Sequence, residues 1–422
     1  MLRSVKKIDL HKMKRVSFIN KMKRFDLGKV KDIDLGKVKN DLRITPYRRK
    51  LLREIIIFSV IFFGFFGILA TRMTLPKMLN SFLQTAYHLL METVLYIMAI
   101  TVMMGAVSKL FMEYGIVKLM EKLLRPLMKP LFNLPGVASL GAVMTFLSDN
   151  PAIITLSKDR SFSQYFKKYQ LVSLTNFGTS FGMGLVVLAF MIGQGYSAGA
   201  GVGFLGAFIG CIVSTRLMQH FTLKNYPELD APVFDAVKEK EQHKEEKQEK
   251  QGVFIRTLNA ILDGGMSGVE IGVSIIPGVL VISTIVMMLT FGPSADGTYT
   301  GNAYEGVPVI TYLVDKINFI FKWLFGFTHA ELIAFPITAL GAVGAALGLI
   351  PKFVSSGIID NNAIAVCTAM GMCWSGFLST HAAMLDSLGY RKLISKAITA
   401  HTIGGLCAGI AAHWLYVLFT LI

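Results

Sequence analysis

Seven stretches of this chain stay apolar for long enough to cross a lipid bilayer, and no soluble fold accommodates that pattern. A hydrocarbon core of about 30 Å is spanned by roughly 20 helical residues. The runs at 55–73, 89–107, 171–192, 198–217, 269–291, 363–385 and 397–421 reach that length. With no water inside the core, backbone N–H and C=O groups must bond to one another, so each run is expected to be helical. Composition agrees: of 422 residues, 53% are hydrophobic and 17% charged, and the mean hydropathy of +0.54 exceeds that of an ordinary soluble domain. Two further apolar stretches, 134–156 and 332–350, are interrupted by Pro, Gly and polar residues. They read as re-entrant hairpins or interrupted helices, which survive at membrane depth only when enclosed by protein. The expected fold class is an all-α polytopic membrane protein.

The net charge of +16 lies mostly before residue 55. A basic arm beside a first span orients it toward the cytoplasm and binds anionic headgroups at about 1 kcal/mol per Lys or Arg, so a lipid partner accounts for the charge and no nucleic acid is required. Within the arm, DLGKVK occurs twice, at 26–31 and 34–39. No cleavable signal pattern precedes the first run, which is expected to remain as a span. A second charged stretch, 223–252, contains KEKEQHKEEKQEKQG and reads as a cytoplasmic linker between two membrane halves. Lys109, Lys118, Lys122, Arg125 and Lys129, then Lys158, Arg160, Lys167 and Lys168, and finally Arg391, Lys392 and Lys396 fall on the same predicted inside. The loop 293–308 carries Asp296 and Glu305 and suits the outside, while Arg72 and Lys77 run against the rule. Cys211, Cys367, Cys373 and Cys407 form no CxxC pair and read as small core residues.

The halves share a pattern. Leu140-Gly-Ala-Val143 is followed by Pro151 as Leu340-Gly-Ala-Val343 is by Pro351; Glu92 and Glu270 lie early in the second and fifth spans; and T-x-x-G occurs at Thr175–Gly178 and Thr368–Gly371. On the expected topology these units run in opposite directions, giving two inverted-topology repeats, a recurrent plan of secondary transporters.

Polar residues that interrupt apolar segments are the candidate site. Ser148, Asp149 and Asn150 stand at the first hairpin, either to cap a broken helix or to bind a solute or ion. In the sixth span Ser375, Ser379, Thr380, His381 and Asp386 break the apolar pattern, and Gly371 and Gly376 make unwinding inexpensive. Asn176, Thr179 and Ser180 do the same in the third span; in both cases helix-to-helix hydrogen bonding is the competing reading. Glu92, Glu270, Glu331 and Asp386 are candidates for Na⁺ or H⁺ coupling, or for pairing near the membrane surface. A GxGxxG match at 201–206 sits inside an apolar span without βαβ context and reads as close helix packing. No phosphate loop, HExxH or CxxC is present, so neither an enzyme nor a bound cofactor is expected.

These features together resemble the Gate-domain (nucleoside recognition) superfamily, which includes concentrative nucleoside transporters, the gate of the bacterial ferrous-iron transporter and sporulation membrane proteins. Ser148-Asp-Asn-Pro-Ala-Ile-Ile154 looks like the T-E-A-P-L-L-I of the first nucleoside-transporter hairpin and the N-V-P-A-I of the iron-transporter gate. Ser375-Gly-Phe-Leu-Ser-Thr-His381, continuing to Asp386-Ser-Leu-Gly389, looks like C-G-F-A-N-F-S-S with its G-x-L-G turn, and the Arg391-Lys392 step into a small-residue span has the same character. The resemblance implies that Asp149 replaces the nucleoside-recognising Glu, that Ser379 stands for the ribose-binding Asn, and that His381 stands at the following Ser. The second hairpin, Gly348-Leu-Ile-Pro-Lys352, lacks the family's N-E pair.

The implied organisation is a basic arm (1–54), a first transmembrane helix with its connector (55–87), a first Gate-like repeat (88–220), the charged linker (221–256) and a second Gate-like repeat (257–422). The expected function is secondary-active transport of a small polar solute, a nucleoside or nucleobase by resemblance, across the cell membrane by alternating access. A Gate-type metal-ion permease and a non-transporting scaffold of the sporulation type are the alternatives, and a homo-oligomer is compatible with each.

Overall fold

The computed structural model describes residues 46–234, 252–294 and 296–421, with the side chains of residues 46–49, Ser161 and Ser379 outside the description. The DLGKVK duplication and most of the charged linker also lie outside it. Among the described residues the chain is helical, and its one β feature is an isolated bridge between Lys167 and Pro232. Two units are distinguished, one ending at Gly67 and one running from Ile68 to the end.

Helix α1 (Pro46–Met73) crosses from the first unit into the second. The second unit continues with α2 (Leu75–His88), a π turn, α3 (Leu95–Glu113) and α4 (Ile116–Leu127). Next come the hairpin helices α5 (Ala138–Leu147) and α6 (Pro151–Lys158), then α7 (Lys168–Thr179), α8 (Gly184–Gly193) and α9 (Ser197–Asn225). After the linker follow α10 (Val253–Ser274), α11 (Thr284–Thr290) and α12 (Asn318–Phe325). The chain ends with α13 (Ala334–Ala339), α14 (Val343–Leu347), α15 (Ile350–Ser355), α16 (Asn361–Cys373), α17 (Phe377–Ser387) and α18 (Ile394–Leu421).

Among the described residues, six helical runs are long and apolar enough to span a membrane: Lys50–Met73, Leu75–Glu113, Lys168–Gly193, Ser197–Asn225, Val253–Thr290 and Arg391–Leu421. The protein is therefore multi-pass. This corrects the count of seven plain spans. The expected sixth span, 363–385, is split by Trp374–Gly376 into α16 and α17. A different candidate appears instead, Asn318–Phe325 with Ala330–Ala339, bent by 72°. Glu92 and Glu270 are not early in their spans. The helices start at Leu75 and Val253, well before the apolar runs, which makes each glutamate the eighteenth residue of its helix. The linker also begins later than expected, because α9 runs to Asn225 and the next residues fold back. Lys168 N–H donates to the Ala231 carbonyl (2.9 Å), Val233 N–H donates to that of Phe166 (3.1 Å), and Lys167 pairs with Asp230 (2.8 Å).

Both interrupted stretches are broken as expected, the first at 148–150 with Pro151 opening α6, the second at 340–342 with Pro351 in the first turn of α15. The matching Leu-Gly-Ala-Val segments nevertheless differ. The first is continuous helix, whereas the second contains the break, with Ala342 extended at φ −165°. A stronger correspondence lies downstream, where α7 and α16 begin 193 residues apart. Both helices break after the T-x-x-G segment, and the residue that restarts each is left-handed: Met183 at φ 53° and Gly376 at φ 62°, also 193 apart. Glycine takes that conformation freely, whereas Met183 bears a cost of about 1–2 kcal/mol. A left-handed residue at the same place in both helices, a non-glycine in one of them, marks a break that the surrounding packing imposes.

The core centres on α16, which is buried along its length. Small residues bring its neighbours close. A Cβ on Gly210 would meet Ala408 at 2.5 Å, one on Gly404 would meet Ser214 at 2.5 Å, and Gly264 packs against the Gly105 carbonyl between α10 and α3. The four cysteines are unpaired, with Cys211, Cys367 and Cys373 buried, in keeping with a packing role.

The loop after α11 docks on α2. Ser81 Oγ donates to the carbonyls of Asn302 (2.6 Å) and Glu305 (2.8 Å), and Tyr304 N–H donates to Thr85 Oγ1 (2.8 Å). Its organiser is the Glu305 carboxylate, which accepts from the N–H groups of Thr300 and Gly301 (both 2.8 Å) and from Thr300 Oγ1 (2.6 Å). Burial opposes ionisation of Glu305, but these donors outweigh it and hold the pKa below the usual glutamate value.

Two outcomes follow from this packing. Gly268→Ala drives a methyl group into the Thr101 carbonyl and should lower stability by about 1–3 kcal/mol, whereas Gly201→Ala, with nothing within 4 Å of its Cβ, should not. Thermal melts in detergent compare the two, and equal melting temperatures would remove the close-packing argument. Because the folded pKa of Glu305 is depressed, its contribution is present above the unfolded value and lost as pH falls through the folded one. Hydrogen exchange at Thr300 and Gly301, corrected for intrinsic rate, should lose protection in that acidic window; protection that persists there in the wild type would contradict the role given to the carboxylate.

Candidate functional site

Three backbone interruptions converge: the tip of the first hairpin (148–150), the α7/α8 break (180–183) and the α16/α17 break (374–376). Each frees backbone polar groups that a continuous helix would satisfy, and inside a helix bundle these need protein, ligand or bound water to answer them. Asn150, 4% exposed, is the bridge. Its Nδ2 donates to the Ser375 carbonyl (3.1 Å), and Ser375 Oγ donates in turn to the Thr179 carbonyl (3.2 Å). The tip closes on both breaks because they lack side-chain bulk. A Cβ at Gly182 would overlap the Asn150 side-chain oxygen, and one at Gly376 would lie 2.5 Å from Asn150 Nδ2 and 2.7 Å from Thr380 Oγ1.

Asp149 does not reach across this contact. Its Oδ1 accepts from the backbone N–H (2.7 Å) and Nδ2 (2.9 Å) of Asn150, so the carboxylate orients the neighbouring amide. Ser148 Oγ bonds back to the Met144 carbonyl (2.6 Å). Asn150 Oδ1 faces no donor, and neither do the buried Thr175 Oγ1 and Thr368 Oγ1 of the two T-x-x-G segments. An unanswered acceptor at a helix break, such as Asn150 Oδ1, is a group that a solute N–H or O–H, a cation or a water can satisfy.

A second polar cluster lies behind the breaks. Asn176 Nδ2 donates to Ser214 Oγ (3.0 Å) and to the Ala397 carbonyl (2.9 Å), joining α7 to α9 and α18. Ser214 Oγ lies 2.8 Å from His401 Nδ1, whose Nε2 meets the Cys373 carbonyl at the end of α16. A carbonyl only accepts, so His401 carries its proton on Nε2. The ring of His381 lies 4.6 Å from that of His401, centroid to centroid. Its Nδ1 bonds the Phe377 carbonyl, which leaves Nε2 as a buried acceptor with no partner.

The structure thus brings together Asn150, Ser375, the Thr179 carbonyl and Thr380. It places Asn176 and His381 in the cluster behind, and the Ser379 side chain is not described. His381, which the sequence grouped with the candidate site, faces His401 rather than the hairpin tip. The carboxylates stand apart. Glu92 is exposed and pairs with His88 (2.9 Å), Glu270 is exposed, Glu331 is half-buried in the turn before α13, and Asp386 lies 3.7 Å from Arg391 at an exposed helix end. Sequence reasoning missed Gly182, Ser214 and His401. For Gly182 the signal was available in the spacing of Gly178, Gly182 and Gly184; for the other two, polar residues in plain apolar helices, only the partner could reveal the role.

A family model described as Gate, nucleoside recognition, matches residues 55–195, reaching back to the first span and covering the first hairpin and the α7/α8 break. Among solved structures, a doubly substituted variant of CNTnw, a concentrative nucleoside transporter, in an outward-facing state matches with a TM-score of 0.50 at 13% identity, covering 89% of this chain and 88% of that one. CNTnw in an inward-facing substrate-bound state gives a TM-score of 0.47 at 13% identity, over 87% of each chain. No curated protein matches. At this identity the likeness is one of fold.

Gly182→Ala should destabilise the protein by about 1–3 kcal/mol, and the cost should shrink by more than about 0.5 kcal/mol in an Asn150→Ala background, where the methyl group meets a shorter side chain. Strict additivity in melting experiments would show that Gly182 and Asn150 do not share this contact.

Proposed function

We propose that this chain is a secondary-active transporter of a small polar solute, with a nucleoside or nucleobase as the substrate class, and that the contact between the first hairpin tip and the two helix breaks is where solute is held. The observation that carries the reading is Asn150: buried at the tip of a re-entrant hairpin, it bonds the broken α16/α17 helix through Nδ2 and keeps Oδ1 without a donor. Amide groups at helix breaks suit the paired donors and acceptors of a base or ribose. The nucleoside-recognition model over 55–195 and the CNTnw-like fold support the same class.

The matched breaks at Ser180–Met183 and Trp374–Gly376, with their shared left-handed residue, support two inverted-topology repeats. Rocking one against the other would expose the site to either side. A Na⁺ or H⁺ gradient supplies the energy, and the protein works in the cell membrane with its linker in the cytoplasm.

Purified protein in proteoliposomes should accumulate a radiolabelled nucleoside or base under an imposed Na⁺ or pH gradient. Asn150→Ala should reduce uptake by about tenfold or more, the kinetic equivalent of losing one buried hydrogen bond of about 1.4 kcal/mol. Absence of gradient-dependent uptake for every nucleoside and base would remove the substrate class, and undiminished uptake by Asn150→Ala would remove the site.

A further inference from the structure

We infer that the apolar cavity between α4 and the first hairpin is a binding site for an acyl chain of an anionic phospholipid. The cavity holds about 170 Å³ and is lined only by apolar side chains, among them Met120 and Leu124 of α4, Val143 and Phe146 of α5, Phe181 of the α7/α8 break and Phe208 of α9. Its walls offer water no hydrogen-bond partner, as in an engineered apolar cavity of about 150 Å³ that stays dry and takes up benzene, and it is open on one side to its surroundings. Its fitting occupant is a piece of hydrocarbon about six carbons long, and in a membrane the hydrocarbon at hand is a lipid tail.

The helix that walls the cavity also selects the headgroup. On α4, Val117 and Met120 turn toward the hairpin while Leu119 and Leu123 are exposed at 68% and 74%. Lys118 and Lys122 are exposed on another face, within about 40° of one another at about 100° per residue, and the exposed Lys129 follows in the π turn Met128–Phe132. An apolar strip beside a basic row is the pattern of a helix lying in the plane of the membrane interface. The acid of this helix, Glu121, is taken by Arg125, and among the described residues no acid pairs with the three lysines. Leu123 also lines the cavity, so the exposed strip of Leu119 and Leu123 leads from the cavity to the lysine row, and one lipid with its phosphate at the row and a tail in the cavity lies across that strip.

This site does not rest on the transport reading, but its walls adjoin the candidate site. Phe146 lies two residues before Ser148, and Phe181 belongs to the break that Asn150 closes on. A tail in the cavity touches both sides of that contact and favours the closed arrangement seen here.

The test uses full-length, delipidated protein in detergent. Dioleoyl phosphatidylglycerol should raise the melting temperature by about 3 °C or more, and phosphatidylcholine with the same tails should raise it less. Glycerol 3-phosphate, the headgroup without a tail, should have no effect. Ala142→Phe, which fills the cavity, should abolish the phosphatidylglycerol effect. The exposed triple variant Lys118→Gln, Lys122→Gln, Lys129→Gln, which leaves the core untouched, should reduce it to the phosphatidylcholine level and keeps the test open should Ala142→Phe fail to fold. Equal shifts with the two lipids, a full shift in folded Ala142→Phe or in the triple variant, or a shift with glycerol 3-phosphate alone would each overturn the proposal.

Discussion

The absence of water from the hydrocarbon core governs this structure. A backbone group left unpaired there costs several kcal/mol, so a helix can be interrupted only where other protein groups answer what the interruption frees. The three breaks of the first hairpin, α7/α8 and α16/α17 meet that demand by converging. Ser375 serves as acceptor through its carbonyl and as donor through its hydroxyl, tying the hairpin tip to the end of α7 in one relay. Without that convergence none of the breaks could persist at depth.

Convergence in turn requires close approach, which explains the distribution of small residues better than any local preference does. Gly182 and Gly376 leave room for the Asn150 amide, and Gly210 and Gly404 let α9 and α18 close around α16. Behind the breaks, Asn176, Ser214 and His401 link three helices to the Cys373 carbonyl. This polar cluster holds the broken helix from the rear, while the hairpin holds it from the front. The front contact has an unanswered acceptor in Asn150 Oδ1, and the rear cluster has two, Asn176 Oδ1 and His381 Nε2. The front is built around a hairpin tip and the rear around packed helices.

The carboxylates illustrate why residue type alone is a weak guide to a membrane site. Glu92 and Asp386 interrupt apolar sequence as conspicuously as Asp149 does, yet they lie at exposed positions paired with His88 and Arg391. Helix rotation sends them outward, and rotation is set by packing partners far away in the chain. Thr179 shows the converse. Its side chain bonds its own helix (2.6 Å), and its carbonyl makes the contact that matters.

By itself the sequence determined that the chain spans a membrane many times, that 134–156 and 332–350 are broken, and that Ser148–Asn150 and Ser375 interrupt apolar segments. Those conclusions follow from local physics, since apolar run length and the presence of Pro, Gly and polar residues dictate what lipid tolerates. The tertiary structure decided the rest: that 171–192 also breaks, that 363–385 is two helices, that Asn150 rather than Asp149 crosses to the facing helix, and that His381 meets His401. Each depends on residues some 190 or more positions apart, or on a turn such as that at Gly376, and a hydropathy pattern carries no information about which buried donor finds which acceptor.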